Sequence, residues 1–227
     1  MTVKRTSSNP MNDNQKETKQ QWLYSQIKAA IINNEYLPGT MLTERALCDK
    51  YDVSRTPVRE ALKQLANEGM LQHIIGKGAF VAEISFEAMI EIFEMREALE
   101  RQAIKLFILK DDGSLAEELE KCFQEQLECL NTNPFRFMEK DMEFHLLIAE
   151  GAKNKRLLYA LETIYDQVEM MAISADNDEN LRNMAKYHHQ SVLEAIHKRD
   201  VELGEKAIVE HILEVKKYHM SKYMISS

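Results

Sequence analysis

Ser54 to Leu62 reads S-R-T-P-V-R-E-A-L, with L-P-G-T-M-L-T-E-R-A-L before it at Leu37–Leu47, E-G-M after it at Glu68–Met70, and G-K-G-A-F-V at Gly76–Val81. A Ser54 or Thr56 cap and Pro57 in the first turn start a helix sharply, because proline there gives up only an N–H that has no intrahelical partner. Arg55 and Arg59 are four apart and share one face, while Val58, Ala61, Leu62 and Leu65 form the apolar face. Two guanidinium groups projecting together suit guanine edges, and hydroxyls at a helix N-terminus suit phosphate oxygens.

The flanks turn a capped helix into a motif. Thr43 to Tyr51 reads as a short helix with a Thr cap, Asp52-Val53 as a tight turn, and Ser54 to Asn67 as the second helix, which is helix-turn-helix spacing. Leu71–Ile75 and Ala79–Ala82 are short strand-like runs joined by Gly76-Lys77-Gly78, so a hairpin wing follows. A further helix, Lys19–Asn33, is indicated by Trp22, Leu23, Ile27, Ala30 and Ile31 at helical spacing. The expected fold is mainly α: a winged helix-turn-helix of three helices and a β-hairpin, then an all-α antiparallel bundle of six or seven helices.

Tyr24 to Val81 resembles the DNA-binding domain of the GntR family of bacterial transcription regulators, on the pattern P-G…L-x-E-x-x-L…S-R-T-P-V-R-E-A-L…E-G…G-x-G-x-F-V. The resemblance implies DNA contacts from Arg45, from Ser54, Arg55, Thr56 and Arg59, and from Gly76 and Lys77 at the wing. It also implies double-stranded, palindromic operator DNA as the partner.

Composition sets the bounds. The 227 residues are 44% hydrophobic and 29% charged, ordinary for a globular chain of one or two domains. With no long apolar run and no apolar leader, a membrane partner and a signal peptide are not expected, and the reading is cytoplasmic. Three cysteines without C-x-x-C spacing, Cys48, Cys122 and Cys129, read as reduced thiols. The net charge of −8 looks wrong for a nucleic-acid binder until it is divided: +1 over Met1–Thr18, +1 over Lys19–Ile84 and −10 over Ser85–Ser227. DNA binding then depends on where the few cations sit, and weakens as salt rises. The domains expected are a mobile arm at 1–18, the DNA-binding domain at 19–84 and a helical domain at 85–227.

In that helical part Ser85 caps a helix ending at Lys110, Ser114-x-x-Glu117 reads as a capping box, and Asn133-Pro134 opens a third helix. Further helices follow at about Asn154–Ser174, Glu179–Arg199 and Asp200–Tyr223. Polar residues stand in their apolar stripes. Asp141 and His145 lie among Phe137, Phe144 and Ile148, His189 among Ala185, Val192, Leu193 and Ile196, and His211 among Ala207, Ile208, Ile212 and Val215. Each histidine alone reads as a core residue bonded to a carbonyl. Together, three inward imidazoles and a carboxylate suit zinc, with nickel or manganese also open.

Ser85 to the C-terminus is similar to the FCD ligand-binding domain of the FadR branch of the same family. Its D-x-x-F-H, H-x5-A-x4-D and A-x3-H patterns fall on Asp141 with Phe144-His145, on His189 with Ala195 and Asp200, and on Ala207 with His211. The resemblance implies a metal-binding sensor with Asp141, His145, His189 and His211 as ligands. His188 leaves open which neighbouring imidazole ligates, and the 22-residue spacing to His211 favours His189. Arg96 either pairs with Glu100 on an exposed face or, as the resemblance implies, faces the cavity and binds a small carboxylate effector; Asn154 reads as a helix cap. The function expected is a homodimeric, metal-binding DNA-binding repressor. A metal-dependent hydrolase with an accessory DNA-binding domain is the alternative, and a purely structural metal a third reading.

Overall fold

The computed structural model describes residues 18–74, 78–172 and 178–226. Two compact units divide between Val81 and Ala82. The first contains α1 (Lys19–Ile32), β1 (Met41–Leu42), α2 (Glu44–Tyr51), α3 (Arg55–Asn67), β2 (Leu71–Ile74) and β3 (Gly78–Val81). Of the arm expected at 1–18, only Thr18 lies within the described residues, and it caps α1 in a capping box with Gln21.

Burial of Leu23, Ile27 and Ile31 from α1 against Val58, Ala61, Leu62 and Leu65 from α3 makes the core of this unit. The turn between α2 and α3 is closed by Asp52 in the left-handed region at φ 51, which aspartate tolerates better than most residues. α3 begins after Ser54, whose side chain makes no capping bond, so the backbone geometry and Pro57 set this start. The wing is a three-stranded antiparallel sheet in the order β1-β3-β2, with Met41 opposite Phe80 and Leu71 opposite Val81. The third strand, β1, is an addition to the expected hairpin.

The second unit is all-helical among the described residues: α4 (Phe86–Lys110), α5 (Ser114–Cys129), α6 (Pro134–Gly151), α7 (Lys155–Ala172), α8 (Glu179–Lys198) and α9 (Val201–Ser226). Ser85 caps α4, Asn133 caps α6 ahead of Pro134, and the Asn154 side chain accepts from the N–H groups of Arg156 and Leu157. The capping box expected at Ser114 does not form. Asp111 accepts from Gly113 and Leu115 N–H, and Asp112 from Ser114, so the carboxylates satisfy those amides and Gly113 takes the φ of 102 that the turn requires.

α4 packs on α9, α6 and α7, α8 on α9, and α5 on α6 and α8, around Phe93, Phe107, Phe144, Leu161, Val192 and Ile208. At Gly151 a β-carbon would strike the Phe107 ring, so glycine sets the close approach of α6 to α4. Among the described residues no helix is long and apolar enough to cross a membrane.

Candidate nucleic-acid interface and metal centre

The amphipathic character of α3 turns its polar face outward: Arg55, Thr56 and Arg59 are exposed, as is Ser54 at its N-cap. Arg45, on the second position of α2, is exposed too, with Asp49 4.0 Å from its Nε. Arg59 Nε donates to Glu44 Oε1 at 2.7 Å, and this partner holds the Glu44 carboxyl below its ordinary range. Five of the seven expected DNA contacts are therefore exposed residues of one unit. Gly76 and Lys77 lie outside the described residues.

In the helical unit, the 3.6-residue period carries Asp141 and His145 to the inner side of α6, His189 to that of α8 and His211 to that of α9. One ligand atom from each of the four lies within 4.8 Å of the others. His145 Nε2 is 3.1 Å from His211 Nε2 and 3.3 Å from His189 Nε2, and Asp141 Oδ1 is 3.5 Å from His189 Nε2. All three rings are buried, and the Phe144 ring stacks on His189 at 4.1 Å. His188 is also buried but stands outside the group, its ring centroid 5.7 Å from that of His211.

The surrounding groups fix where protons sit. Asp141 Oδ1 can only accept, so the Gln126 amide nitrogen, 3.1 Å away, must donate to it. Gln126 Oε1 then faces His189 Nδ1 at 2.9 Å, and that ring nitrogen carries the proton. His145 Nδ1 is 2.6 Å from Glu100 Oε2, too short for two lone pairs, so this ring is also protonated on Nδ1. The approach lies off the N–H axis and is a close charge contact rather than a well-aligned hydrogen bond. The Nε2 atoms of His189 and His211 thus both converge on that of His145, at 3.3 and 3.1 Å, beside the Asp141 carboxylate. Imidazoles oriented through Nδ1 by oxygen acceptors are the usual metal-ligating form. The donor set therefore fits a divalent metal. Burial drives the His189 and His211 imidazoles far below their ordinary pKa, which keeps them in the neutral form a metal needs, and pushes the Asp141 carboxyl up against the pull of His145 and Arg96.

Arg96 and Glu100 pair as the i,i+4 spacing suggested, but in the interior. Arg96 Nε donates to Glu100 Oε1 at 2.9 Å, its Nη2 to the Tyr165 hydroxyl at 2.9 Å, and that hydroxyl to Glu100 Oε1 at 2.7 Å. Burial opposes the Glu100 charge, yet His145 and Arg96 outweigh it and bring its carboxyl down to about 2. The charge of Arg96 is thus met by Glu100, which in turn touches His145. Glu100, Gln126 and Tyr165 are the site residues that the sequence reading missed. The signal for Glu100 was present, since it falls on the core spacing of Phe93, Arg96, Ala103 and Phe107.

Comparison with known proteins agrees with both halves. The profile of the bacterial regulatory proteins of the gntR family matches residues 19–81, and that of the FCD domain matches residues 91–214. The HTH-type transcriptional repressor RspR of Escherichia coli is 26% identical over 196 residues, 86% of each chain. The Uxu operon transcriptional regulator of Escherichia coli is 26% identical over 211 residues, covering 84% of this chain and 82% of that one. The solved structure of E. coli McbR/YncC superposes with a TM-score of 0.77 at 19% identity, over 90% of this chain and 98% of that one, a likeness of fold.

Proposed function

The chain belongs to the gntR family of bacterial regulatory proteins, with an FCD domain as its second half, and from that premise we propose a homodimeric, metal-dependent repressor that responds to a small carboxylate. Its relatives are DNA-binding transcription regulators, not enzymes, so the hydrolase alternative falls. A two-fold dimer presents two copies of α3 to palindromic half-sites, with Arg45, Ser54, Arg55, Thr56 and Arg59, and Gly76 and Lys77 of the wing, as the DNA-contacting set.

The observation that carries the sensory part is the convergence of one donor atom each from Asp141, His145, His189 and His211, all within 4.8 Å of one another. Asp141, His145, His189 and His211 are the residues to hold a divalent ion, zinc first by its preference for imidazole with a carboxylate, nickel or manganese next. When bound, such an ion would supply a positive centre to which a small carboxylate could add an oxygen ligand. What the chain itself does is tie α6, α8 and α9 together at one point. Glu100 and Gln126 face the Nδ1 atoms of two of the rings and so orient their Nε2 atoms inward, and Arg96 acts on the site through Glu100. Differential binding of metal and acid to one arrangement of the dimer then shifts operator affinity.

Metal analysis of the purified protein, followed by fluorescence anisotropy on its own upstream intergenic DNA with and without chelator, tests this reading. About one equivalent of metal per chain and a change in DNA affinity on chelation are expected, both lost in His211→Ala. A protein that takes up no divalent metal, or whose DNA affinity ignores it, rules the sensory reading out.

A further inference from the structure

Arg59 does not stand free on the recognition helix. Its Nε donates to a carboxylate from another helix of the motif, Glu44, the first residue of α2. Glu44 sits in the first helical turn behind the Thr43 cap, where a negative charge is favoured by the free N–H groups. The pair is solvent-facing, with side chains 62% and 36% exposed, so it adds little to folding stability. Its consequence is orientation. Binding through Nε leaves the two terminal nitrogens of the guanidinium on the opposite edge, and those are the donors that a bidentate contact to guanine O6 and N7 uses. Arg45 lacks such a hold, its Nε being 4.0 Å from Asp49 on its own helix.

A carboxylate on the DNA-facing side also repels phosphates, and sequence-independent affinity comes mainly from phosphate neutralisation. One residue thus acts on both sides of the specificity ratio. We propose that Glu44 is a positioning residue for base reading, holding Arg59 for a guanine edge while weakening binding to DNA of arbitrary sequence. This rests on the DNA-binding reading of α3.

The test is selection of binding sites by the full-length protein from a random-sequence duplex library, with zinc and again with chelator, for the parent, Glu44→Ala, Glu44→Gln, Arg59→Ala and the Glu44→Ala, Arg59→Ala double variant. Arg59→Ala should erase the preference at one base position per half-site, and Glu44→Ala should blur that same position. On a scrambled duplex Glu44→Ala should bind more tightly, so its specific-to-nonspecific ratio falls roughly tenfold, the scale of one guanine contact. Glu44→Gln, whose amide oxygen still accepts from Nε, should keep the preference, and the double variant should select as Arg59→Ala does. The proposal is overturned if Glu44→Ala keeps that preference, or loses one at a different position, which would make Glu44 a reader of bases itself. If the parent enriches no sequence under either condition, the DNA-binding reading fails and the proposal with it.

Discussion

His145 Nε2 and His189 Nε2 lie 3.3 Å apart on two different helices, and each ring carries a proton on its far nitrogen, which faces the Glu100 carboxylate in one case and is accepted by Gln126 Oε1 in the other. With the Asp141 carboxylate and His211 beside them, the pair offers a divalent metal four donors within 4.8 Å of one another, and the first prediction follows from it: a divalent metal stabilises the protein. At a hundredfold excess over its dissociation constant the gain is about 2.7 kcal/mol, a rise of roughly 5–10 °C in melting temperature for a domain of this size. Thermal melts across a zinc titration check it, and His211→Ala should be insensitive to zinc.

Gln126 touches both a ring and a carboxylate of the site while standing outside the ligand set. Gln126→Leu frees the His189 ring and Asp141 from their orienting bonds, and metal affinity should drop about 10- to 100-fold, the usual effect of removing such a partner. Competition against a fluorescent chelator measures it; circular dichroism should remain that of the parent.

His219 on α9 is buried, its ring centroid 5.7 Å from that of Phe93. Burial, with Arg96 adding like-charge repulsion, brings its pKa down to about 4. Between that value and the unfolded value near 6.5 the unfolded chain binds the extra proton, so the stability is whole above about pH 6.5 and is lost as pH falls toward 4. Urea melts in chelator should show the parent losing about 2 kcal/mol more than His219→Gln between about pH 7 and pH 4.5. Equal losses would show that His219 does not titrate this way.

Gly151→Ala places a β-carbon into the Phe107 ring. Crowding of this kind costs roughly 1–3 kcal/mol, read as a lowered denaturation midpoint, and Phe107→Leu in the same chain should recover part of it.

How far the sequence shows this molecule differs from element to element. α4 and α6 were legible to the residue, because Ser85 and Asn133-Pro134 are local signals that cap those helices. β1 was not, since two residues carry no alternation and Met41–Leu42 becomes a strand only by pairing with β3. The start of α5 misled for a related reason: the Ser114-x-x-Glu117 pattern is present, but Asp111 and Asp112 reach the free amides from outside the helix. In the site, each histidine announced itself as a polar residue in an apolar stripe. Glu100 stood on the core spacing of Phe93, Arg96, Ala103 and Phe107 too, but an acid in E-A-L-E-R reads first as solvated face, and only the fold reveals that Arg96, Tyr165 and His145 surround it. Gln126, in a helix rich in acids and amides, continues the core spacing of Leu119, Cys122 and Phe123, whereas Gln124 does not, but an amide there does not announce which groups it meets.

The central claim is that a metal-sensing helical domain governs a DNA-reading one in the same chain. The most direct measurement is anisotropy on the upstream intergenic duplex at fixed salt, comparing the parent with Arg55→Ala, Arg59→Ala and with His211→Ala, each in zinc and in chelator. The account predicts that the parent binds with an affinity that changes on chelation, that the double arginine variant loses sequence-selective binding under both conditions, and that His211→Ala binds alike in both, as the chelated parent does. Undiminished binding by the double arginine variant, or a parent affinity that is the same in zinc and in chelator, would contradict it.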